Sequence, residues 1–319
     1  MINLKNKNIL ITGADGFIGS HLVESLAKKN LNIRAMTQYN SFNDWGWLEN
    51  IDKKILREIE VVSGDIRDKK FVNDSSKKID VIFHLASLIA IPHSYKSPYS
   101  YLSTNTEGTL NVLESSLNSN VCKIIHTSTS EVYGESNSVA ISEKSQPIAR
   151  SPYAATKIAA DQLAYSYFST YNLPLSIIRP FNTYGPRQSS RAIIPTIITQ
   201  LLSKKKIIKL GSLHPTRDFT FIEDTVSGFI KMAESDKNYG EIINIGSGYE
   251  ISIKKLCELL IDLTNSSSVI RQEKIRIRPK KGEVDRLRAN TSKANRIIKW
   301  KPDYVGQNGL KKGLKKTID

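Results

Sequence analysis

Long apolar runs are missing from this sequence of 319 residues: no stretch of ~18 or more apolar residues occurs, so nothing in it is expected to span a membrane. Cysteine is nearly absent. Cys122 and Cys257 cannot build a disulfide framework, and neither has a CxxC partner, so no metal site is expected. The opening residues lack the charged start, apolar block and small-residue cleavage site of a secretory leader, which makes a reducing, cytoplasmic setting the expectation. Acid is scarce as well, with 31 Asp+Glu against 46 Lys+Arg and a formal charge of +15. The basic residues are scattered; Lys204-Lys205-Lys206 and the tract Arg276, Arg278, Lys280, Lys281 are the densest spots. A nucleic-acid footprint is a cluster, so no nucleic-acid partner is expected. What remains is 39% hydrophobic, enough for a core, at a length that suits one large domain or a core domain with a smaller partner.

Apolar runs at 8–12, 32–36, 60–62, 81–85 and 123–127 read as strands, each followed by turn residues. Helical spacing intervenes at 21–29, 105–118 and 153–171. This alternation implies crossover connections, an α/β fold with a Rossmann-type doubly wound parallel sheet, and ligands at the carboxyl ends of the strands. Residues 175–179 and 241–245 extend the sheet. After Pro180 turn residues multiply around a helix at 194–203, strands at 207–210 and 217–221, and a helix at 253–263. The expected division is a nucleotide-binding domain over 1–179, rejoined by segments near 220–247, and a smaller C-terminal α/β substrate lobe over 180–319, with a mobile tail from Lys311.

Between the first strand and first helix lies Gly13-Ala14-Asp15-Gly16-Phe17-Ile18-Gly19. Glycine lets the backbone turn tightly and approach a pyrophosphate, and the helix N-terminus adds partial positive charge. In this strand–turn–helix setting the GxxGxxG spacing points to a dinucleotide. The acid expected about 20 residues on, which would favour NAD, is missing from Ala35-Met36-Thr37-Gln38-Tyr39, so NAD and NADP both stay open. Asp65-Ile66, after the third strand, is placed either to meet the adenine or to cap a turn.

Tyr153 and Lys157 lie four apart, on one helix face. The strand before them ends in His126-Thr127-Ser128-Thr129-Ser130-Glu131. An adjacent ammonium favours a phenolate and lowers its pKa. Such a tyrosine removes the proton of a sugar hydroxyl while hydride leaves the same carbon, with Thr129 hydrogen-bonding that oxygen and Lys157 holding the nicotinamide ribose.

The glycine run, Asp65-Ile66, His84-Leu85-Ala86, Thr129, the YxxxK pair and Arg179-Pro180-Phe181-Asn182-Thr183-Tyr184-Gly185-Pro186-Arg187 together resemble the extended short-chain dehydrogenases/reductases of nucleotide sugars. The likeness covers nearly the whole chain. It implies NAD(P) at Gly13, Asp15, Gly16, Phe17, Ile18, Gly19, Asp65, Ile66, Leu85, Ala86, Tyr153 and Lys157, and a nucleotide-diphosphate sugar at Asn182, Arg217 and Arg278. It also implies a homodimer through a four-helix contact, for which Leu110, Leu113, Ile158 and Leu163 offer apolar positions that equally suit the sheet. Asn105 matches the family's asparagine supporting the tyrosine–lysine pair, or else caps a helix. His84 is read as structural, and Arg191 is left between the nucleotide and the lobe surface.

Thr129-Ser130-Glu131-Val132-Tyr133-Gly134 points to the chemistry. Once C4 of the sugar is a ketone, its C5 proton is acidified; Glu131 removes it, water leaves from C6 and hydride returns there. That is a 4,6-dehydratase. The segment is similar to Thr-Ser-Glu of GDP-mannose dehydratases and departs from Thr-Asp-Glu of dTDP-glucose dehydratases, which leaves the role of Ser130 open. The run 39–48, with 89–92, 191–196 and 216–219, resembles the dehydratases that start bacterial legionaminic acid synthesis from UDP- or GDP-N-acetylglucosamine. UDP-glucuronate decarboxylase and nucleotide-sugar 4-epimerase are the alternatives on the same fold. A non-catalytic dinucleotide-sensing or nucleic-acid-binding module is the alternative from another class, and the intact tyrosine–lysine pair argues against it.

Overall fold

In the computed structural model, which describes residues 1–135, 139–273 and 283–319, the apolar runs form one fully parallel sheet. Its strands are β1 (Asn8–Thr12), β2 (Asn32–Gln38), β3 (Glu60–Gly64), β4 (Val81–His84), β5 (Lys123–Thr127), β6 (Leu175–Pro180) and β10 (Ile242–Ile245), in the order β10-β6-β5-β4-β1-β2-β3. Ile9, Leu10, Ile11 and Phe83 are fully buried because crossover helices cover both faces. The strand order reverses between β1 and β4, which is where folds of this kind place a ligand, at the carboxyl ends of the strands.

The C-terminal half adds two small sheets, built on the expected strands near 207–210 and 217–221 and completed by partner strands that the sequence did not reveal. β9 (Thr216–Phe221) pairs with β11 (Glu250–Ser252), β13 (Arg286–Leu287) and β7 (Asn182–Tyr184), and β8 (Ile207–Leu210) pairs with β12 (Val269–Gln272). Among the described residues no helix is long and apolar enough to cross a membrane.

Two expectations change, and two readings that the sequence left open are narrowed. The segment from 105 is not a plain helix start: a π-helical turn, Leu102–Glu107, precedes the helix Gly108–Leu117. Asn105 sits inside that turn, its side chain accepting from Leu88 N at 2.8 Å and donating to Leu88 O at 2.9 Å, so it caps nothing. The apolar positions named for a dimer face inward: Leu113 is buried, while Leu110, Ile158 and Leu163 pack half-buried against the chain's own core. The tail from Lys311 is not loose. It lies in the helix Gly306–Ile318, which buries Leu310 and Leu314 at an i, i+4 spacing. Gly313 presses on Tyr184 and Phe221, so nothing larger than hydrogen fits there.

Burial of that stripe fixes the tail. Leu314→Ala is expected to cost about 2–5 kcal/mol of unfolding free energy, as for other buried leucines, read from the denaturant midpoint. A change within the error of the wild type would return the tail to a solvated role.

Candidate active site

Gly13 ends β1 in a left-handed conformation (φ +68), and a Cβ there would stand 2.8 Å from the backbone N of Ala86. Gly19 lies in the helix Phe17–Ala27, where a Cβ would come 2.9 Å from Ala14 Cα. The two glycines thus bring β1, the β4 loop and the helix N-terminus to backbone contact. The result is a cradle at the switch point, and it fits a pyrophosphate. Leu85 N and Ala86 N donate to Thr12 Oγ1 at 3.1 Å each, and His84 bridges Thr12 Oγ1 (2.8 Å) to Thr109 Oγ1 (3.0 Å). Burial holds His84 well below the usual imidazole range, so it is a neutral bridge. Ile66 packs under Gly108, while the Asp65 carboxylate is taken by Arg67, whose Nε and backbone N both donate at 2.9 Å. Asp65 thus holds its own turn, and Ile66 packs against the helix Gly108–Leu117.

The helix Pro152–Tyr171 starts where the sequence dictates. Ser151 caps it by accepting from Ala154 N at 3.1 Å, and Pro152 takes the first turn, where no N–H is needed. Tyr153 and Lys157 are both buried on its cleft side. Thr129 caps the short 3-10 turn Ser130–Tyr133 by accepting from Glu131 N at 3.2 Å, and its hydroxyl lies close enough to the Tyr153 phenol to lower its pKa. Glu131, half-buried, lies close enough for its charge to act on that phenol, and Ser130 is buried in the turn. Positions 129, 131 and 153 thus meet in one compartment. The ring of Tyr153 packs edge-on against Tyr101 at 6.3 Å.

The electrostatics differ from the simple pairing read in the sequence. Burial pushes the Tyr153 phenol well above its usual range; the Thr129 hydroxyl pulls it down, and Glu131 and Asp161 push it further up. Burial also pulls Lys157 down to about 8, against the opposing charge of Asp161. Desolvation of the charged form is the largest cause of each shift.

Asp161, the next residue on the same helix face, carries no signal as a motif. It is buried and accepts from Ser128 Oγ at 2.7 Å, Arg179 Nη2 at 2.8 Å and His126 Nε2 at 3.1 Å. Its only local signature is the i, i+4 ladder 153, 157, 161. Asn105 Nδ2 donates to Thr156 Oγ1 at 3.1 Å, joining the π-helical turn to the same helix between its tyrosine and its lysine.

The phosphate-binding candidates are less gathered. Asn182 opens β7, and its buried Oδ1 has no hydrogen-bond partner among the described residues. Arg217 is buried and donates to Thr216 O at 2.9 Å and Glu283 at 3.2 Å. Arg278 lies outside the described residues. Arg191 is exposed, and its charge is felt at the Tyr101 hydroxyl beside the cleft.

Residues 10–313 match the family model described as GDP-mannose 4,6 dehydratase. The chain is 32% identical to a human dTDP-D-glucose 4,6-dehydratase over 322 residues, covering 98% of this chain and 89% of that protein. It is 30% identical to a UDP-N-acetyl-alpha-D-glucosaminuronate decarboxylase from Bacillus cytotoxicus, over 97% of each chain. Among solved structures, UDP-glucuronic acid 4-epimerase from Bacillus cereus, in complex with UDP-glucuronic acid and NAD, matches with a TM-score of 0.88 at 31% identity over 98% of each chain.

Asp161→Ala leaves Arg179 as a buried charge without its carboxylate. The expected loss is about 3–5 kcal/mol of stability, measured by urea unfolding, and a loss under about 1 kcal/mol would deny the network its structural role.

Proposed function

The chain belongs to the GDP-mannose 4,6-dehydratase family of extended short-chain dehydrogenases/reductases, NAD-dependent enzymes of nucleotide sugars, and on that premise we propose that it is a 4,6-dehydratase of UDP- or GDP-N-acetylglucosamine. The observation that carries the reading is the shared compartment of Thr129, Glu131 and Tyr153. A 4-epimerase needs no carboxylate beside its tyrosine, whereas removal of a C5 proton does. The acetamido substrate rests on the likeness of residues 39–48, 89–92, 191–196 and 216–219 to legionaminic acid dehydratases, and a relative that acts on an N-acetylglucosamine derivative agrees with it.

The glycine cradle, closed by Leu85 and Ala86, would hold NAD, with Phe17, Ile18, Asp65 and Ile66 proposed beside it and Lys157 on the nicotinamide ribose. Bound there, NAD supplies hydride uptake from sugar C4 and hydride return at C6. Tyr153 takes the proton of the C4 hydroxyl while Thr129 holds that oxygen. The ketone so formed acidifies the C5 proton, which Glu131 removes. Glu131 then hands this proton to the leaving C6 hydroxyl, and one water departs. Ser130 stands where dTDP-glucose dehydratases carry a proton-donating aspartate, so the glutamate does both jobs here. Asn182, Arg217 and Arg278 are the groups proposed for the diphosphate. On the same reading two copies pair through the helices Gly108–Leu117 and Pro152–Tyr171, where Leu117, Tyr165 and Tyr171 are 39%, 50% and 57% exposed.

The decarboxylase relative keeps a second reaction in view. Purified protein incubated with UDP- and GDP-N-acetylglucosamine should give a product lighter by one water in mass spectrometry. Intact substrate in both, with carbon dioxide released from UDP-glucuronate, would move the assignment to decarboxylation. Glu131→Gln should lower dehydration by ~100-fold or more, the usual worth of a general base, while a 4-epimerase would keep nearly full turnover.

The pH profile follows from Lys157. Its ammonium is the charged form below about 8, and burial brings its loss to that value, so kcat/KM should fall as pH rises through about 8. A profile flat to pH 10 would remove the lysine's charge from the mechanism.

A further inference from the structure

No carboxylate occurs in the sequence near the end of β2, the place from which a dinucleotide-binding fold ordinarily takes the adenosine ribose. The fold brings one there from another element. Asp15, inside the glycine run, reaches across to β2, and its Oδ2 accepts from Gln38 N at 3.3 Å, at the strand's carboxyl tip. Backbone contacts hold it in place. The carbonyl of Asp15 accepts from Trp47 N at 3.0 Å. Gly46 is left-handed (φ +57), and a Cβ on it would stand 2.8 Å from that same carbonyl. The segment following β2 is therefore stapled to the glycine loop at Asp15.

The charges around this edge share one sign. Asp44, in the stapled segment, adds its negative charge to that of Asp15. The cation nearest in sequence, Arg34, points to the opposite end of β2, onto Glu60 at 2.8 Å and the carbonyls of Ser75 and Lys77. Arg67, on the neighbouring turn, is held by Asp65. Gln38, Tyr39 and Asn40, which complete the tip, are neutral.

We propose that Asp15 is the cofactor-selecting residue of this chain: its carboxylate receives the adenosine ribose hydroxyls of a dinucleotide in place of the missing strand-end acid, and its charge rejects the 2′-phosphate of NADP. The proposal rests on the reading of the glycine cradle as a dinucleotide site. It needs no new element, because the acid is moved from the end of β2 to the loop that β2 packs against. Ribose hydroxyls donate to a carboxylate, whereas a phosphate meets it charge against charge.

The test is binding, independent of turnover. Wild-type protein, freed of co-purified nucleotide, is titrated calorimetrically with NAD and with NADP, alongside Asp15→Asn and Asp15→Ser, whose folding is checked by circular dichroism and melting. The wild type should prefer NAD by roughly 100-fold, the scale of a like-charge penalty, and both variants should lose at least about tenfold of that ratio, mostly through tighter NADP. The nucleotide released on denaturing the purified wild type should be NAD by mass spectrometry, a readout that stands even where a variant does not fold. An unchanged ratio in a folded variant, or a wild type that prefers NADP, overturns the proposal while leaving the dinucleotide site intact. A wild type that binds neither overturns the dinucleotide reading itself, and this proposal with it.

Discussion

The carboxylate of Asp161 joins the helix Pro152–Tyr171 to the sheet. It is 2% exposed, and so is Arg179 of β6, its ion-pair partner at 2.8 Å. Ser128 and His126, from β5 and its end, donate to the same group. Arg179 continues the chain of contacts, lying over the ring of Tyr133 at 4.8 Å, and the Tyr133 hydroxyl donates to Asn244 Oδ1 at 2.8 Å on β10. Tyr133 ends the turn that carries Glu131. One buried ion pair thus sets the helix bearing Tyr153 and Lys157 against the turn bearing Thr129 and Glu131. A charge at this depth is tolerable only with its partners in place, and that requirement gives the arrangement a single register.

The same burial governs the proton inventory of the proposed reaction. The charge of Glu131 opposes a phenolate at Tyr153 and adds to the cost of burying it. On the proposed reaction, taking the C4 proton makes Tyr153 neutral and relieves that repulsion before Glu131 acts as a base toward C5. Lys157, held near 8, keeps its charge at neutral pH because Asp161, one turn along, opposes the cost of burial. The acid that fixes the helix also keeps its lysine useful.

Much of this was legible in the sequence because it is local. A glycine run between strand and helix, a tyrosine and lysine one turn apart, and a Thr-Ser-Glu at a strand end are short patterns whose geometry follows from backbone periodicity. The seven-stranded sheet was legible for the same reason, since each buried strand reads as its own apolar run. What escaped depends on chain segments far apart. Asp161 is an unremarked helix residue until β5 and β6 bring Ser128, His126 and Arg179 to it. Asn105 stayed open between a support of the tyrosine–lysine pair and a helix cap because the π-helical turn around it leaves no trace in apolar spacing. The final helix looked loose because its lysines mask Leu310 and Leu314, whose partners lie in the small sheet region. Strands of two or three residues such as β7, β11 and β13 exist only through pairing with β9.

The charge of the chain works on two length scales. An excess of 15 positive charges attracts any sugar nucleotide diphosphate from a distance, and salt screens that attraction beyond about 10 Å. Inside the cleft the scarce acids decide. Asp15 reaches the tip of β2, Glu131 stands in the turn after β5, and Asp161 lies on the helix Pro152–Tyr171 against the sheet. In a basic chain, a carboxylate placed where a ligand binds acts against the general field. It therefore discriminates among anions that the field alone would gather equally, and on the proposed reading few acids suffice to set both cofactor and chemistry.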